Sequence, residues 1–141
     1  MTGTKDIFID TSAFKAVFDQ GDEFHKQSWK FWQEAHKNDI CFITSNYILD
    51  EVYTLFRAKA GKAKALLLRD SLAESPQSVT VTWVQLDDER VAWEYFAKLP
   101  GRGVSFTDCT SFALMKRLNL KVAFTFDGDF KSAGFSILPE K

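Results

Sequence analysis

Ile7-Phe8-Ile9-Asp10-Thr11-Ser12 carries three apolar, β-prone residues into a carboxylate and then two hydroxyls. Near the far end, Val122-Ala123-Phe124-Thr125-Phe126-Asp127-Gly128-Asp129-Phe130 repeats the theme, an apolar run ending in an acidic loop. In a parallel α/β fold, residues just past strand C-termini meet in one crevice at the sheet edge. Carboxylates gathered there repel one another unless protons or cations share the site. An acidic metal site is therefore the first expectation, with metal-assisted phosphodiester cleavage as its use.

Outward from these two stretches, short β-rich runs alternate with helical periods. Ser12 is expected to cap a short helix ending near Phe18, and Asp22 a second helix with an apolar stripe of Phe24, Trp29, Phe31, Trp32 and Ala35. Ile40-Cys41-Phe42-Ile43 reads as a strand buried on both faces. Thr44 or Ser45 caps the next helix, which runs to Ala60 before Gly61. A further helix from Lys62 to about Ala73 is stopped by Ser75-Pro76. Val79–Val84 is β-branched and strand-like, and Asp87-Asp88-Glu89 suits the start of a helix reaching Leu99. After the Pro100-Gly101-Arg102-Gly103 loop, Thr107 is expected to cap a helix over 108–118 with Asn119 as its stop. Strands over 121–125 and 135–138 complete the pattern. Such alternation implies right-handed crossovers and a mainly parallel sheet with helices on both faces.

At 141 residues the chain is expected to form a single domain, 1–141, and its fourteen Phe imply a bulky core. No apolar run approaches the roughly 18 residues of a membrane span. Residues 1–6 lack the apolar stretch of a signal peptide, so a cytoplasmic location with no membrane partner is expected. Two Cys and two His at these spacings exclude a zinc site. A net charge of −1 leaves no global basic footprint for nucleic acid, although a local patch can coexist with an acidic pocket.

Helical geometry separates the adjacent acids Asp50 and Glu51. Asp50 shares its face with Thr54 and Arg57, which reads as solvent, whereas Glu51 flanks the apolar stripe of Leu49, Val52 and Phe56 and leans inward. Asp108 shares a face with Phe112 and Met115; alone it is as consistent with a favourable helix-dipole position as with function. Asp10 could serve a turn, but Thr11 and Ser12 already supply turn hydroxyls. Asp127 directly ends its strand, while Asp129, two residues on, is the weaker candidate.

This ordered set of motifs, Phe8-Ile9-Asp10-Thr11-Ser12, Ile48-Leu49-Asp50-Glu51-Val52, Thr107-Asp108 and Thr125-Phe126-Asp127-Gly128-Asp129-Phe130, resembles the PIN domain family of metal-dependent nucleases. The similarity is greatest to the small VapC-type toxins of toxin–antitoxin pairs, and Asp22-Glu23-Phe24-His25 resembles the opening of the family's second helix. The resemblance implies a five-stranded parallel sheet, a Mg²⁺ or Mn²⁺ pocket held by Asp10, Glu51, Asp108 and Asp127, and endoribonuclease activity. It places Thr11, Ser12 and Thr125 at hydroxyl positions beside these acids. It further implies a homodimer and a cognate antitoxin that blocks the cleft. A nuclease outside any toxin–antitoxin pair, or a catalytically silent RNA- or partner-binding domain, are the alternatives within the family.

Other chemistries fit less well. Haloacid-dehalogenase-like phosphotransferases need a second Asp two residues after the first, where this chain has Ser12. A receiver domain needs an acidic pair near strand one and a Lys after a late strand, and neither is in place. His25 and His36 lie on one amphipathic helix away from the acids, so packing roles are expected. Cys41 and Cys109 read as inert small residues. For RNA, Arg102 is the basic residue expected near substrate, while Arg57, Lys59, Lys62, Lys64 and Arg69 form a solvated patch. Trp29, Trp32, Trp83 and Trp93 are expected in core or interface, and the helix around Trp29 and Phe31 is a surface for a second subunit.

Overall fold

The computed structural model describes residues 6–75 and 78–139. The N-terminal segment 1–5 and the expected stop at Pro76 lie outside the described residues. Five short strands, β1 (Asp6–Ile9), β2 (Cys41–Ser45), β3 (Val79–Thr82), β4 (Val122–Phe124) and β5 (Ser136–Leu138), form one sheet of order β3-β2-β1-β4-β5. Every pairing is parallel; Phe8 lies opposite Ile43 on one side and Ala123 on the other. The helices are α1 (Thr11–Phe18), α2 (His25–Lys37), α3 (Asn46–Ala60), α4 (Lys62–Glu74), α5 (Leu86–Lys98), α6 (Phe106–Arg117) and α7 (Asp129–Ser132).

This order sets the place of the acids. From β1 the chain winds outward through β2 to β3, then returns to add β4 and β5 on the other side of β1. With right-handed crossovers the two windings lay their helices on opposite faces, and the reversal opens a crevice between β1 and β4. Asp10 leaves β1 at that crevice, and its backbone N–H extends the ladder to the Phe124 carbonyl at 3.1 Å.

A phenylalanine-rich interior fixes the layers. Phe8, Phe14, Phe42, Phe56, Phe112, Phe124 and Phe130 are fully buried. Phe112 meets Phe130 edge-on at 4.9 Å, and Trp32 stacks on Phe42 at 5.0 Å, arrangements that satisfy the ring quadrupoles as well as removing apolar area from water. Phe31 also turns inward, edge-on to Phe124 at 4.7 Å, leaving Trp29 as the exposed aromatic of α2. Exposed aromatics gather instead on α5 and the turn before it: Trp83, Trp93 and Phe96, with Phe106 against Trp93.

Several caps differ from expectation. Asp10, not Ser12, is the residue that begins α1: its carbonyl accepts from Ala13 and Phe14 while its side chain makes no cap bond. Asp22 bonds the Phe24 N–H in a tight turn, and α2 starts only at His25. Ser105, not Thr107, caps α6, because a Ser-x-x-Asp box with Asp108 satisfies two end donors at once. Ser45 caps α3 as one of the two expected residues, and Asn119 stops the chain after α6 with a positive φ of 58°. β2 is covered less completely than a fully interior strand, with Cys41 and Ile43 half-buried. β3 ends at Thr82, and Trp83 leaves the sheet for solvent. The single turn of α7 has too little sequence for a helical period and was not foreseen.

Candidate active site

The β1–β4 crevice is built from the ends of two strands and the starts of two helices. At its floor, Asp10 is only 3% exposed. Its Oδ2 accepts from the Thr125 hydroxyl at 2.8 Å and lies 3.4 Å from the Ser12 hydroxyl. Its Oδ1 is buried with no hydrogen-bond partner among the described residues. Ser12 reaches across to the β4 end, 3.3 Å from Thr125 Oγ1, and accepts the Phe126 N–H at 3.0 Å. Thr125 Oγ1 also accepts the Asp127 N–H at 3.0 Å. Thus hydroxyls stitch the two acidic loops together.

Asp127 in turn accepts the Asp129 N–H at 2.9 Å, a turn that brings both carboxylates to one side of the loop. One carboxylate oxygen from each of Asp108, Asp127 and Asp129 lies within 4.8 Å of the others. Asp108 arrives from the first turn of α6, oriented by the Ser105 box, and is 7% exposed. Glu51 comes from the second turn of α3, half-buried, and accepts a short hydrogen bond from the Thr11 hydroxyl. Asp50 points to solvent.

Among the described residues no basic side chain is paired with Asp10, Asp108 or Asp129, and their carboxyl pKa values are raised accordingly. Burial, resisted by the Thr125 hydrogen bond and reinforced by Asp127 and Glu51, raises the Asp10 carboxyl to about 6. Burial and the charges of Asp10 and Asp127 raise Asp108 to about 7, against the Ser105 hydrogen bonds. Burial and Asp127 push Asp129 up as well. Without positive charge the site is frustrated near neutral pH, since its acids ionise only at mutual cost.

The donor set fits a hard divalent cation. All the available ligands are carboxylate oxygens, the kind Mg²⁺ and Mn²⁺ prefer, and an added positive charge inverts the pKa penalties. The unpartnered Asp10 Oδ1 is the strongest sign, because buried polar atoms left unpaired are rare and costly. Asp129 stands within the same cluster as Asp127.

Arg102 is exposed in its loop, with no side-chain hydrogen bond or ion pair among the described residues. His25 Nδ1 pairs with the Ala16 carbonyl at 2.8 Å and His36 Nδ1 with the Trp32 carbonyl at 2.9 Å. Both are packing contacts. Burial pushes the Cys109 thiol up to about 11, which leaves it unreactive. Sequence reading missed Ser105, although the Ser-x-x-Asp spacing was there to be read. It also passed over Lys15, which with Ser12, Phe24, Lys59 and Phe126 lines a hollow of about 340 Å³ beside the crevice. Lys15 is tied there to Asp19 at 2.7 Å and Asp22 at 3.3 Å.

Known proteins share this arrangement. The PIN domain family model matches residues 7–136. The chain is 36% identical over 135 residues to the 23S rRNA-specific endonuclease VapC20 of Mycobacterium tuberculosis, a match covering 95% of this chain and 99% of that protein. The crystal structure of VapC20, described as a Sarcin-Ricin loop cleaving toxin, superimposes with a TM-score of 0.80 over 92% of this chain and 95% of that one. FitAcB from Neisseria gonorrhoeae, at 15% identity, shares the fold with a TM-score of 0.68 over 94% of this chain and 96% of its own.

Proposed function

Because the chain belongs to the PIN domain family, we propose that it is a divalent-cation-dependent endoribonuclease and the toxin of a type II toxin–antitoxin pair. The observation that carries this reading is the β1–β4 crevice, where Asp108, Asp127 and Asp129 cluster and the neighbouring Asp10 has one buried carboxylate oxygen without a hydrogen-bond partner among the described residues. Asp10, Glu51, Asp108 and Asp127 form the catalytic set in this proposal, with Asp129 joining the cation ligands. The whole chain, 1–141, acts as one nuclease domain, in the cytoplasm.

When bound, Mg²⁺ or Mn²⁺ would acidify water and neutralise charge building on the phosphoryl oxygens. The chain's own residues supply the rest. Thr125 and Ser12 hold Asp10 in place, and the Ser105 box holds Asp108, so the carboxylates are positioned before substrate arrives. Thr11 occupies one oxygen of Glu51, leaving the other to accept a proton from attacking water. Water adds to phosphorus as its proton passes to Glu51, the bond from phosphorus to O3′ breaks, and the departing O3′ takes a proton from solvent water. The products are 5′-phosphate and 3′-hydroxyl ends.

Large-subunit ribosomal RNA is the first substrate to test, on the strength of the 36% identity to VapC20. The toxin assignment carries with it a cognate antitoxin and a homodimer. The exposed Trp93 and Phe96, edge-on to each other at 5.4 Å, offer an apolar surface suited to such a protein contact.

The test is cleavage of ribosomes and an RNA panel by the purified chain with Mg²⁺, with Mn²⁺ and with EDTA, alongside Asp10→Asn. Cation-dependent cuts absent from the variant are expected. RNA binding with no turnover under any cation would establish the silent-domain alternative instead.

A further inference from the structure

The 125–131 loop, which carries Asp127 and Asp129, also lines a pocket of about 610 Å³ that the proposed chemistry does not use. Phe126, Phe135 and Pro139 give it apolar walls, Ser136 and Lys131 give it polar ones, and Thr125 stands at its seam with the acidic crevice. Thr125 is the residue whose hydroxyl bonds both Asp10 and the Asp127 N–H, so one side chain belongs to the pocket wall and to the acidic network.

The aromatic walls are braced. Phe126 stacks on Phe24 at 4.4 Å with 8° between the planes, and Phe135 lies against the buried Phe112 at 6.0 Å. A pocket of this size, with rigid apolar walls and few polar groups, has the dimensions of a small-ligand site. Lys131 is exposed and makes no ion pair among the described residues. It is a cation two residues beyond an acidic cluster that would otherwise repel a polyanion.

We propose that this pocket receives the unpaired base of a nucleotide adjoining the cleaved phosphodiester, with Lys131 on a neighbouring phosphate. The inference rests on the ribonuclease reading and specifies how that site selects its substrate. Unpaired bases are recognised by stacking against aromatic and apolar side chains, and phosphate contacts fix the register of the strand. The loop that carries Asp127 and Asp129 also forms the pocket wall. A base seated there therefore sets which phosphate faces the carboxylates.

The test uses an RNA that the wild-type chain cuts, remade with an abasic nucleotide on each side of the cut in turn. It is paired with Ser136→Phe, a change at an exposed edge-strand position that fills the pocket, and with Lys131→Ala. One abasic substitution and Ser136→Phe should each raise KM about tenfold, in line with the loss of one stacked base. Combined, they should cost no more than either alone, because both remove the same contact. Lys131→Ala should weaken RNA binding and lower its salt slope by about one. Unchanged Mn²⁺ affinity in Ser136→Phe verifies that the variant is folded with its acidic crevice intact. Effects that multiply, or an abasic penalty indifferent to Ser136, overturn the subsite while leaving the nuclease standing. No cleavage by the wild-type chain under any divalent cation overturns both.

Discussion

Replacing Asp10 by Asn should make the cation-free protein more stable at pH 8, and the gain should vanish on acidification. The Asp10 carboxyl rises from 3.8 to about 6 on folding, chiefly through burial. A raised folded-state pKa contributes stability that is complete below the unfolded value and lost as pH rises through the folded one. Above pH 6 the native state therefore carries a buried carboxylate at a cost of about 3 kcal/mol. Asn removes that charge. Its amide oxygen can keep the Thr125 hydrogen bond, while the NH₂ group takes the place of the unpartnered Oδ1. At pH 4 the protonated Asp presents an equally unpartnered OH there, so the two side chains become nearly equivalent. Urea denaturation in EDTA, followed by tryptophan fluorescence, should show Asp10→Asn ahead by about 2–3 kcal/mol at pH 8 and level near pH 4. Mn²⁺ at a thousand times its Kd should reverse the order, since it then stabilises the native Asp10 protein by about 4.1 kcal/mol. A stability difference that does not change with pH would refute the reasoning, because it would mean that the carboxyl is not desolvated.

Other perturbations follow from the same geometry. Because Asp108 titrates at about 7 and Asp10 at about 6 in the cation-free protein, protons compete with the cation; calorimetric Mn²⁺ affinity should fall at least tenfold from pH 8 to pH 6. Asp108→Asn should flatten that pH dependence and reduce the single-turnover cleavage rate by at least a hundredfold, with the fold intact by circular dichroism. Ser105→Ala removes the α6 cap and should cost about 1 kcal/mol in urea denaturation, with a parallel loss of cation affinity that a purely structural cap would not produce. Arg117→Ala removes the partner of Asp88, which is bonded to the half-exposed guanidinium at 2.8 and 2.9 Å; a loss of about 1–2 kcal/mol is expected, with little change in cation affinity.

Strand and helix order was legible because apolar runs and helical periods here are short, dense and separated by Gly or hydroxyl residues. The inward lean of Glu51 followed from its neighbours three and four positions away, and its carboxylate lies against the Thr11 hydroxyl. Caps were harder. A hydroxyl near a helix start competes with its neighbours for the same backbone donors, and only the folded turn decides; hence Ser105 displaced Thr107 and Asp10 displaced Ser12. Asp129 could not be ranked from sequence because its approach to Asp127 depends on a one-turn helix, α7, that leaves no periodic trace. The second cavity was invisible for a related reason. Its walls come from β5 and the 125–131 loop, whose residues read individually as ordinary core and surface positions.

The claim that the β1–β4 crevice is a cation-dependent catalytic centre is tested most directly by titrating Mn²⁺ into one sample while measuring bound ion by electron paramagnetic resonance and RNA cleavage rate together. The account expects occupancy and rate to rise with the same midpoint and both to collapse in Asp108→Asn. Cleavage that proceeds without bound cation, or that survives in Asp108→Asn at full rate, would contradict it.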